Sequence, residues 1–433
     1  MGAAGETASR LWLDERFRSL VHCSTKQALS WDEFLRQPIP EGYTPEQVWL
    51  ALCDVRHCGA VHIPSAHGRQ PGPWYTPTLR ISSMARNINA RSGDDSPLSR
   101  LLRSPKGAHH RSQCQRSEIL ATAAQDGFTL SPDRAYDIVI LKKKPRSVEE
   151  RVIGNIALLM DSLEDYEEQP FSDDLADEFH RRITYKVDPT LLRSCQTDLS
   201  HLEDPAEQRQ LFRRFRLEGN NLWAYANNAT GEAAEDPVVK ALTLRTLLSG
   251  YFHDKPFGTT LTRFIFSLFA LKNHLTALAI APFTQTVVAW IDANPRTLRH
   301  LFFEAEEPGC ETDVANADIT LFLEASLELA EATLIQLKEE VEREENELAS
   351  LSSSLFEGRQ LNRRQCTIVN YALRNPEAEM TIRYHQTNHR IAYATARADY
   401  LGLVEKGYLR QSYRGNAMVF TLDPTLLERL STS

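Results

Sequence analysis

The sequence feature that most constrains the fold is an apolar stripe with helical spacing that runs from Asp318 to about Ser350. Its members are three or four positions apart, with Glu and Lys between them. They are Leu323, Leu327, Ala330, Leu334, Leu337 and Val341. The stripe predicts one long amphipathic helix that packs within the chain, because its first half has too few heptads for a coiled-coil dimer. Ser350 and Ser352–Ser354 follow it and predict a hinge.

Helix signals dominate the rest of the chain as well. Thr44 followed by Pro45, for example, has the pattern of an N-cap residue and a first helical position. With 433 residues, 42% of them hydrophobic, the chain is long enough for more than one core, since single cores stop growing at about 250–300 residues. We predict a mainly α fold in three parts: an N-terminal helical region (1–110), a helical domain that includes the long helix (111–357) and a C-terminal domain (361–433).

Several classes of protein are disfavoured by composition. No apolar run of about 18 residues is present and the first residues carry charge, so we predict a cytoplasmic protein without a membrane partner. The seven cysteines are scattered and lack CxxC spacing, which argues against a disulfide framework or a zinc ribbon. Cys53 and His57 form only one pair of candidate metal ligands. We predict no metal and no cofactor.

The charge of the chain is uneven. Residues 361–433 contain ten Lys and Arg against six Asp and Glu, whereas the whole chain has a net charge of −9. A basic end on an acidic body indicates that any polyanionic partner would meet the C-terminal domain.

The C-terminal domain has the pattern of a winged helix-turn-helix. Helices and strands alternate with polar turns, and Gly407 is placed to end the last helix. The predicted elements are a helix over 361–373, a short helix over 380–386, a turn over 387–390, a helix over 391–406 and two strands over 408–422 joined at 414–416. In such a domain the helix after the turn enters the major groove of DNA.

Six residues are the predicted DNA contacts of this domain. Ala392, Ala396, Tyr400 and Leu403 form the stripe expected to face the domain core, which leaves the opposite face of the helix for the groove. The predicted contacts are His389, Arg390, Tyr393, Thr395 and Arg397 on the turn and helix, with Arg414 in the wing. The alternative is a winged helix that docks on protein, because a net charge of +4 is modest for a DNA-binding domain.

The segment ATARADYLGLVEKGYL in this domain resembles the tail of many bacterial Fic-family proteins. Five upstream segments resemble that family in the same order. They are Arg116–Gly127, Lys144–Arg151 with Asn155–Leu158, Asp236–Leu242, Arg263–Asn273, and Asp318–Thr320 with the long helix that follows. The resemblance covers about residue 40 to the end. It implies a Fic-like helical domain followed by a winged helix-turn-helix domain.

Family enzymes transfer AMP with the motif HPFx[D/E]GNGRxxR, in which the histidine is the base, the acidic residue holds Mg²⁺ and the glycine-rich turn binds phosphates. An alignment without gaps places Phe252 at the histidine and Pro256 at the acidic residue. Phe257, Gly258, Thr259 and Thr260 then take the GNGR positions, and only the last arginine, Arg263, is retained. Phenylalanine cannot accept a proton and proline cannot bind magnesium, so the resemblance implies an inactive site.

Three residues are weak catalytic candidates: His253, Lys255 and Arg263. His253 is one position out of register with the family histidine. The simpler interpretation makes Phe252 and Phe257 core residues, His253 and Lys255 loop surface, and Arg263 part of a structural ion pair. The family's inhibitory motif is similarly altered: Asp126 takes the place of its glutamate, and Thr260 takes the place of the arginine that pairs with it.

The sequence therefore favours a catalytically inactive Fic-like protein that binds duplex DNA through its winged helix. One alternative is a Fic-type nucleotidyltransferase with a rebuilt site. The other is a scaffold subunit, with a protein partner or a homodimer in place of DNA.

Overall fold

We examined a computed structural model of the chain. It describes residues 10–63, 72–104, 107–140, 142–188, 219–228, 235–253, 255–293, 318–357, 361–374, 376, 378–382, 392–414 and 417–426. Two compact units are present, Met1–Ile335 and Gln336–Ser433. The described residues form 17 α-helices and five short strands, so the predicted mainly α fold is confirmed.

The helices and strands of the first unit are numbered in chain order. They are α1 (Glu15–Lys26), α2 (Trp31–Leu35), α3 (Pro45–Cys58), β1 (Val61–His62), β2 (Trp74–Tyr75), α4 (Leu79–Ser92), α5 (Pro97–Arg103), α6 (Ala108–Gln125), α7 (Pro132–Val139), α8 (Val148–Asp161), α9 (Asp173–Ile183), α10 (Gly219–Ala226), α11 (Pro237–Tyr251), α12 (Gly258–Lys272), α13 (Thr276–Ile280) and α14 (Phe283–Ala293). Helix α15 (Thr320–Glu357) contributes residues to both units.

Helix α12 lies at the centre of the first unit. It is apolar around its whole circumference, with Phe264, Ile265, Phe266, Leu268 and Phe269 all buried, which is typical of a helix surrounded by other elements. Helices α6, α9, α11 and α13 all contact it. The segment between α11 and α12 is the one that aligns with the family's catalytic motif, so its surroundings are set by the core of the unit.

The long helix is confirmed, but the hinge is wrong. All six residues of the predicted stripe are buried. The helix does not stop at Ser350: it continues through Ser352–Ser354 to Glu357. Serine is an acceptable helix residue, and neither glycine nor proline interrupts this segment, so nothing in the local sequence ends the helix there.

Helix α3 begins as the sequence predicts. The hydroxyl of Thr44 accepts a hydrogen bond from the backbone N–H of Gln47, and the side chain of Gln47 accepts one from the backbone N–H of Thr44. This reciprocal pair is a capping box, with Pro45 at the first helical turn.

The second unit contains α16 (Arg363–Arg374), β3 (Met380–Thr381), α17 (Tyr393–Glu405), β4 (Leu409–Arg414) and β5 (Ala417–Leu422). The strands form an antiparallel sheet in the order β3-β5-β4. Its core includes Tyr400 of α17, whose ring stacks on Phe420 of β5 with the centroids 4.4 Å apart. Gly407, at φ +71°, follows the end of α17 as predicted.

Two local predictions for this unit are wrong. Met380 and Thr381 are not helical: they pair with Phe420 and Val419 as a third strand, because the free edge of β5 offers them backbone hydrogen bonds. Ile382 is helical, as predicted, and residues 383–386 of the predicted short helix lie outside the described residues. Ala392 is exposed rather than buried, since it is the N-cap of α17 and has extended backbone angles.

Within the described ranges, no helix is long and apolar enough to cross a membrane.

Candidate functional site

Two aromatic side chains of the segment between α11 and α12 are buried in the core. Phe252 is fully buried and Phe257 is 1% exposed, as predicted for core residues. The ring of Phe257 stacks on that of Phe128 with the centroids 5.3 Å apart. A Cβ atom at Gly258 would lie 2.4 Å from the carbonyl oxygen of Phe252. This turn therefore has no room for a side chain at the position where the family motif has asparagine.

Phe257 has the backbone conformation of a glycine. Its φ of +62° lies in the left-handed region, where a side chain costs about 1–2 kcal/mol. It occupies the position of the first glycine in the aligned family motif. The turn thus keeps a backbone conformation that glycine favours, while the ring of Phe257 packs on Phe128.

The N-terminus of α12 is capped by a carboxylate from another helix. Asp126, directly after α6, is 1% exposed. Its Oδ1 accepts a hydrogen bond from the backbone N–H of Thr259 at 3.1 Å, and its Oδ2 accepts from the backbone N–H of Thr260 at 2.9 Å and from the Thr260 hydroxyl at 2.5 Å. Burial raises the pKa of Asp126 to about 6, and the hydrogen bonds from Thr260 and Thr259 oppose that shift.

This arrangement bears directly on whether a nucleotide and Mg²⁺ fit. The free N–H groups at a helix N-terminus favour an anion, and here the anion is the carboxylate of Asp126 itself. Phe252 supplies no base and Pro256 no metal ligand. The residues of this turn do not fit a Mg-nucleotide.

The three weak catalytic candidates have different surroundings. The Lys255 ammonium group lies 4.9 Å from the ring centroid of Tyr251 and 5.3 Å from that of Phe252. His253 is half-buried in the same turn. Arg263 is 3% exposed and is directed into the core, with its Nε 2.8 Å from Oε1 of Glu118. The structural ion pair predicted for Arg263 is therefore present.

Glu118 is a buried carboxylate that pairs with Arg263, and the sequence analysis assigned it no role. It is fully buried on α6, and its carboxylate accepts hydrogen bonds from the backbone N–H of Thr284 at 2.9 and 3.1 Å and from that of Gln285 at 3.4 Å. Arg263 also donates to the carbonyl oxygens of Ala279 and Ala281. The available signal was an acidic residue in the same helical stripe as Cys114, Ile119 and Thr122, where an unpaired charge would be costly.

Four of the six predicted DNA contacts are among the described residues. Tyr393 is 50% exposed and Arg397 is exposed one turn further along α17, while Thr395 is half-buried. Arg414 ends β4, and its exposed side chain pairs with Glu379 at 3.0 Å. His389 and Arg390 lie outside the described residues.

Of the two acidic residues on α17, Asp399 is buried and Glu405, the last residue of the helix, is exposed. Asp399 is 3% exposed, and its carboxylate accepts hydrogen bonds from Arg364 at 2.7 and 3.2 Å and from Asn362 at 3.1 Å. Among the described side chains, no group of three or more His, Cys, Asp or Glu is arranged to hold a metal ion.

No family model matches the chain, and no curated protein matches it. Among solved structures, the chain is similar to a crystal structure of a Fic family protein from Desulfovibrio desulfuricans G20. That likeness has a TM-score of 0.44 and 16% sequence identity, and it covers 82% of this chain and 98% of the other. Similarity at this level assigns no function.

Proposed function

We propose that this chain is a Fic-like protein that does not transfer nucleotidyl groups and that acts by binding duplex DNA through a winged helix-turn-helix in its second unit. The motif resemblances from residue 40 onward support the family. The proposal has two parts, which are supported by different residues.

The turn between α11 and α12 supports the absence of transfer. A nucleotidyl transfer of this kind needs a base for the attacking hydroxyl, a metal ligand and free N–H groups for phosphate. The aligned positions hold Phe252 and Pro256, and the N–H groups of Thr259 and Thr260 already donate to Asp126. Each requirement is unmet by a different residue, so a single compensating change would not restore the chemistry.

The observation that best supports DNA binding is the exposed face of α17. Tyr393 and Arg397 are four positions apart and therefore lie on one side of the helix. Arg397 makes no ion pair with any described residue, whereas the Asp399 carboxylate is buried and paired with Arg364. The helix thus presents a cation and an aromatic ring at its N-terminal half, where a recognition helix contacts bases and phosphates.

The hairpin adds a second cationic group. Arg414 and Glu379 form a pair that is 79% and 46% exposed, and such surface pairs contribute about 0–1 kcal/mol. A DNA phosphate can replace Glu379 as the partner of Arg414 at little cost. Arg414 is therefore proposed to contact the backbone rather than to read bases.

Electrophoretic mobility shift of the full-length chain on a random-sequence duplex library tests this function. We expect binding that weakens as salt rises, because basic side chains release condensed counterions from DNA. The matched variant Arg397→Ala should bind more weakly and select no sequence. If the wild-type chain binds no duplex even at low salt, the protein-docking alternative takes the place of DNA binding.

A further inference from the structure

The first unit contains a cavity that is separate from the α11–α12 turn. Its volume is about 700 Å³, and its walls come from α5, α6, α12, α13 and residues 139–167. Helix α6 contributes Arg111, Gln115 and Glu118, which are four and three positions apart and so share one face. Polar groups make up much of the wall, a composition that suits a polar ligand.

The cavity and the Asp126 cap lie along different parts of α6. Arg111 precedes Asp126 by 15 positions, which corresponds to about 22 Å along a helix. Glu118, the residue of the cavity wall on α6 that is nearest in sequence to Asp126, lies two helical turns before it. A ligand in this cavity would therefore not depend on the N-terminus of α12.

The cavity wall as a whole has equal numbers of acidic and basic side chains, namely Glu118, Asp161, Glu164 and Glu167 against Arg103, Arg111, Lys142 and Arg263. Next to Glu118, however, the charge is locally positive. Arg263 lines the cavity and Arg245 of α11 is close enough to interact electrostatically with both Arg263 and Glu118. Burial lowers the pKa of Arg245 to about 10; Glu118 opposes that shift, and Arg263 adds to it. Glu118 is the carboxylate that interacts with both guanidinium groups.

Two nitrogen atoms of Arg263 have no hydrogen-bond partner among the described residues: Nε, which still forms the ion pair with Glu118 at 2.8 Å, and Nη1. Nη1 of Arg263 is buried and makes no hydrogen bond to any described residue, although Nη2 donates to Ala279 and Ala281. The oxygens of Glu118 are already used by Thr284, Gln285 and Nε of Arg263. Leaving a charged donor buried and unpaired is expensive. An anion in the cavity would supply both the missing acceptor and the missing negative charge.

We propose that this cavity binds a small organic anion, a carboxylate or a phosphate monoester, whose anionic group accepts a hydrogen bond from Nη1 of Arg263. Arg111 lies two helical turns from Glu118 on the same face of α6, where its charge favours an anion and its guanidinium can hold the ligand's other polar groups. Arg111 is available for this role because its guanidinium donates to a neutral acceptor, the carbonyl oxygen of Leu102.

Calorimetric titration of the full-length chain with succinate, glycerol 3-phosphate and, as a neutral comparison, glycerol tests this proposal at constant ionic strength. We expect saturable binding of at least one of the two anions and none of glycerol. Arg111→Gln should weaken that binding about tenfold, as expected for loss of a charge-assisted hydrogen bond. Ser112→Trp, which places an indole in the cavity wall without touching the buried ion pair, should abolish it.

Arg100→Gln is the matched control. Arg100 lies on α5 but not in the cavity wall, and it pairs with Asp95 on the surface. This variant should bind the anion as the wild type does. The proposal is wrong if neither anion binds saturably, or if binding persists unchanged in Ser112→Trp. These results are independent of nucleotidyl transfer and of DNA binding.

Discussion

The carboxylate of Asp126 accepts two hydrogen bonds from Thr260, one from its backbone N–H at 2.9 Å and one from its hydroxyl at 2.5 Å. The contact joins the end of α6 to the beginning of α12 across 134 residues of sequence. It places a negative charge where a helix N-terminus would otherwise attract a phosphate. The same contact therefore joins two helices and uses the N–H groups that a phosphate would need.

Removing this carboxylate should not create an enzyme. We expect neither the wild type nor Asp126→Ala to label itself or lysate proteins with AMP from ATP and Mg²⁺, because Phe252 and Pro256 still provide no base and no metal ligand. Labelling with radioactive ATP measures this directly. The rebuilt-site alternative gains support if Asp126→Ala becomes active and adding His253→Ala removes that activity.

Asp126 should also make stability depend on pH. Its pKa is raised from about 3.9 in the unfolded chain to about 6 in the folded protein. The folded state binds the proton more tightly, so this stabilising contribution is complete below about pH 4 and is lost as the pH rises through 6. The loss is on the order of 3 kcal/mol for a shift of this size. Urea unfolding at pH 4.5 and 6.5 should show a smaller decrease in Asp126→Asn than in the wild type; equal decreases would contradict the shift.

Phe257 offers a test of backbone strain. A buried phenylalanine replaced by alanine typically costs about 3–5 kcal/mol, and glycine is usually worse. At φ +62°, however, glycine avoids the left-handed penalty that alanine pays. We expect Phe257→Gly to be more stable than Phe257→Ala by about 1 kcal/mol. The same two substitutions at Phe264, buried within α12, should have the usual order, and urea unfolding compares all four variants.

The Glu118–Arg263 pair should be costly to break. Both side chains are buried, so Glu118→Gln leaves the guanidinium groups of Arg263 and Arg245 without their carboxylate and the N–H groups of Thr284 and Gln285 with a weaker acceptor. We expect a loss of about 3–5 kcal/mol. Glu328→Gln is the control, because its pair with Arg80 is exposed and is worth about 0–1 kcal/mol. A similar small loss for both would show that the buried pair contributes little.

Residues with local sequence signals were predicted well. The stripe from Leu323 to Val341 and the cap at Thr44 depend on neighbours within one or two helical turns, and both are confirmed. The hinge predicted at the serines 352–354 is wrong. A run of serines resembles a linker in composition, but the helix propensity of serine is high enough to allow a helix. Local pattern is thus most informative where local interactions decide the structure.

Long-range contacts were less accessible from sequence. Met380 and Thr381 form a strand because of the edge of β5, about 40 positions away. The role of Glu118 depends on α12 and α14, which lie far along the chain. Alignment with a family motif identified Asp126 and Thr260 as altered positions whose usual pairing is lost, and it did not predict the contact that they make. Its geometry, with backbone N–H groups as further donors, required the folded structure.

Arg397 and Arg414 should differ in how they affect DNA binding. Arg397 is exposed on α17, whereas Ala396, Tyr400 and Leu403 are buried in the core. At the N-terminal half of a recognition helix it would reach base edges, and a specific arginine–base contact is worth about 1–3 kcal/mol. Arg397→Ala should therefore weaken binding by that amount and flatten sequence preference.

Arg414 should act on all sequences alike. It ends β4 on the hairpin, and its exposed pair with Glu379 leaves it free to exchange that carboxylate for a phosphate. Arg414→Ala should weaken every duplex similarly and reduce the slope of log affinity against log salt by about 1. The two variants are compared with the wild type by selection from a randomised duplex library and by titrations at several salt concentrations. If Arg397→Ala and Arg414→Ala cause equal losses that do not depend on sequence, the second unit binds DNA through its charge alone and does not read bases.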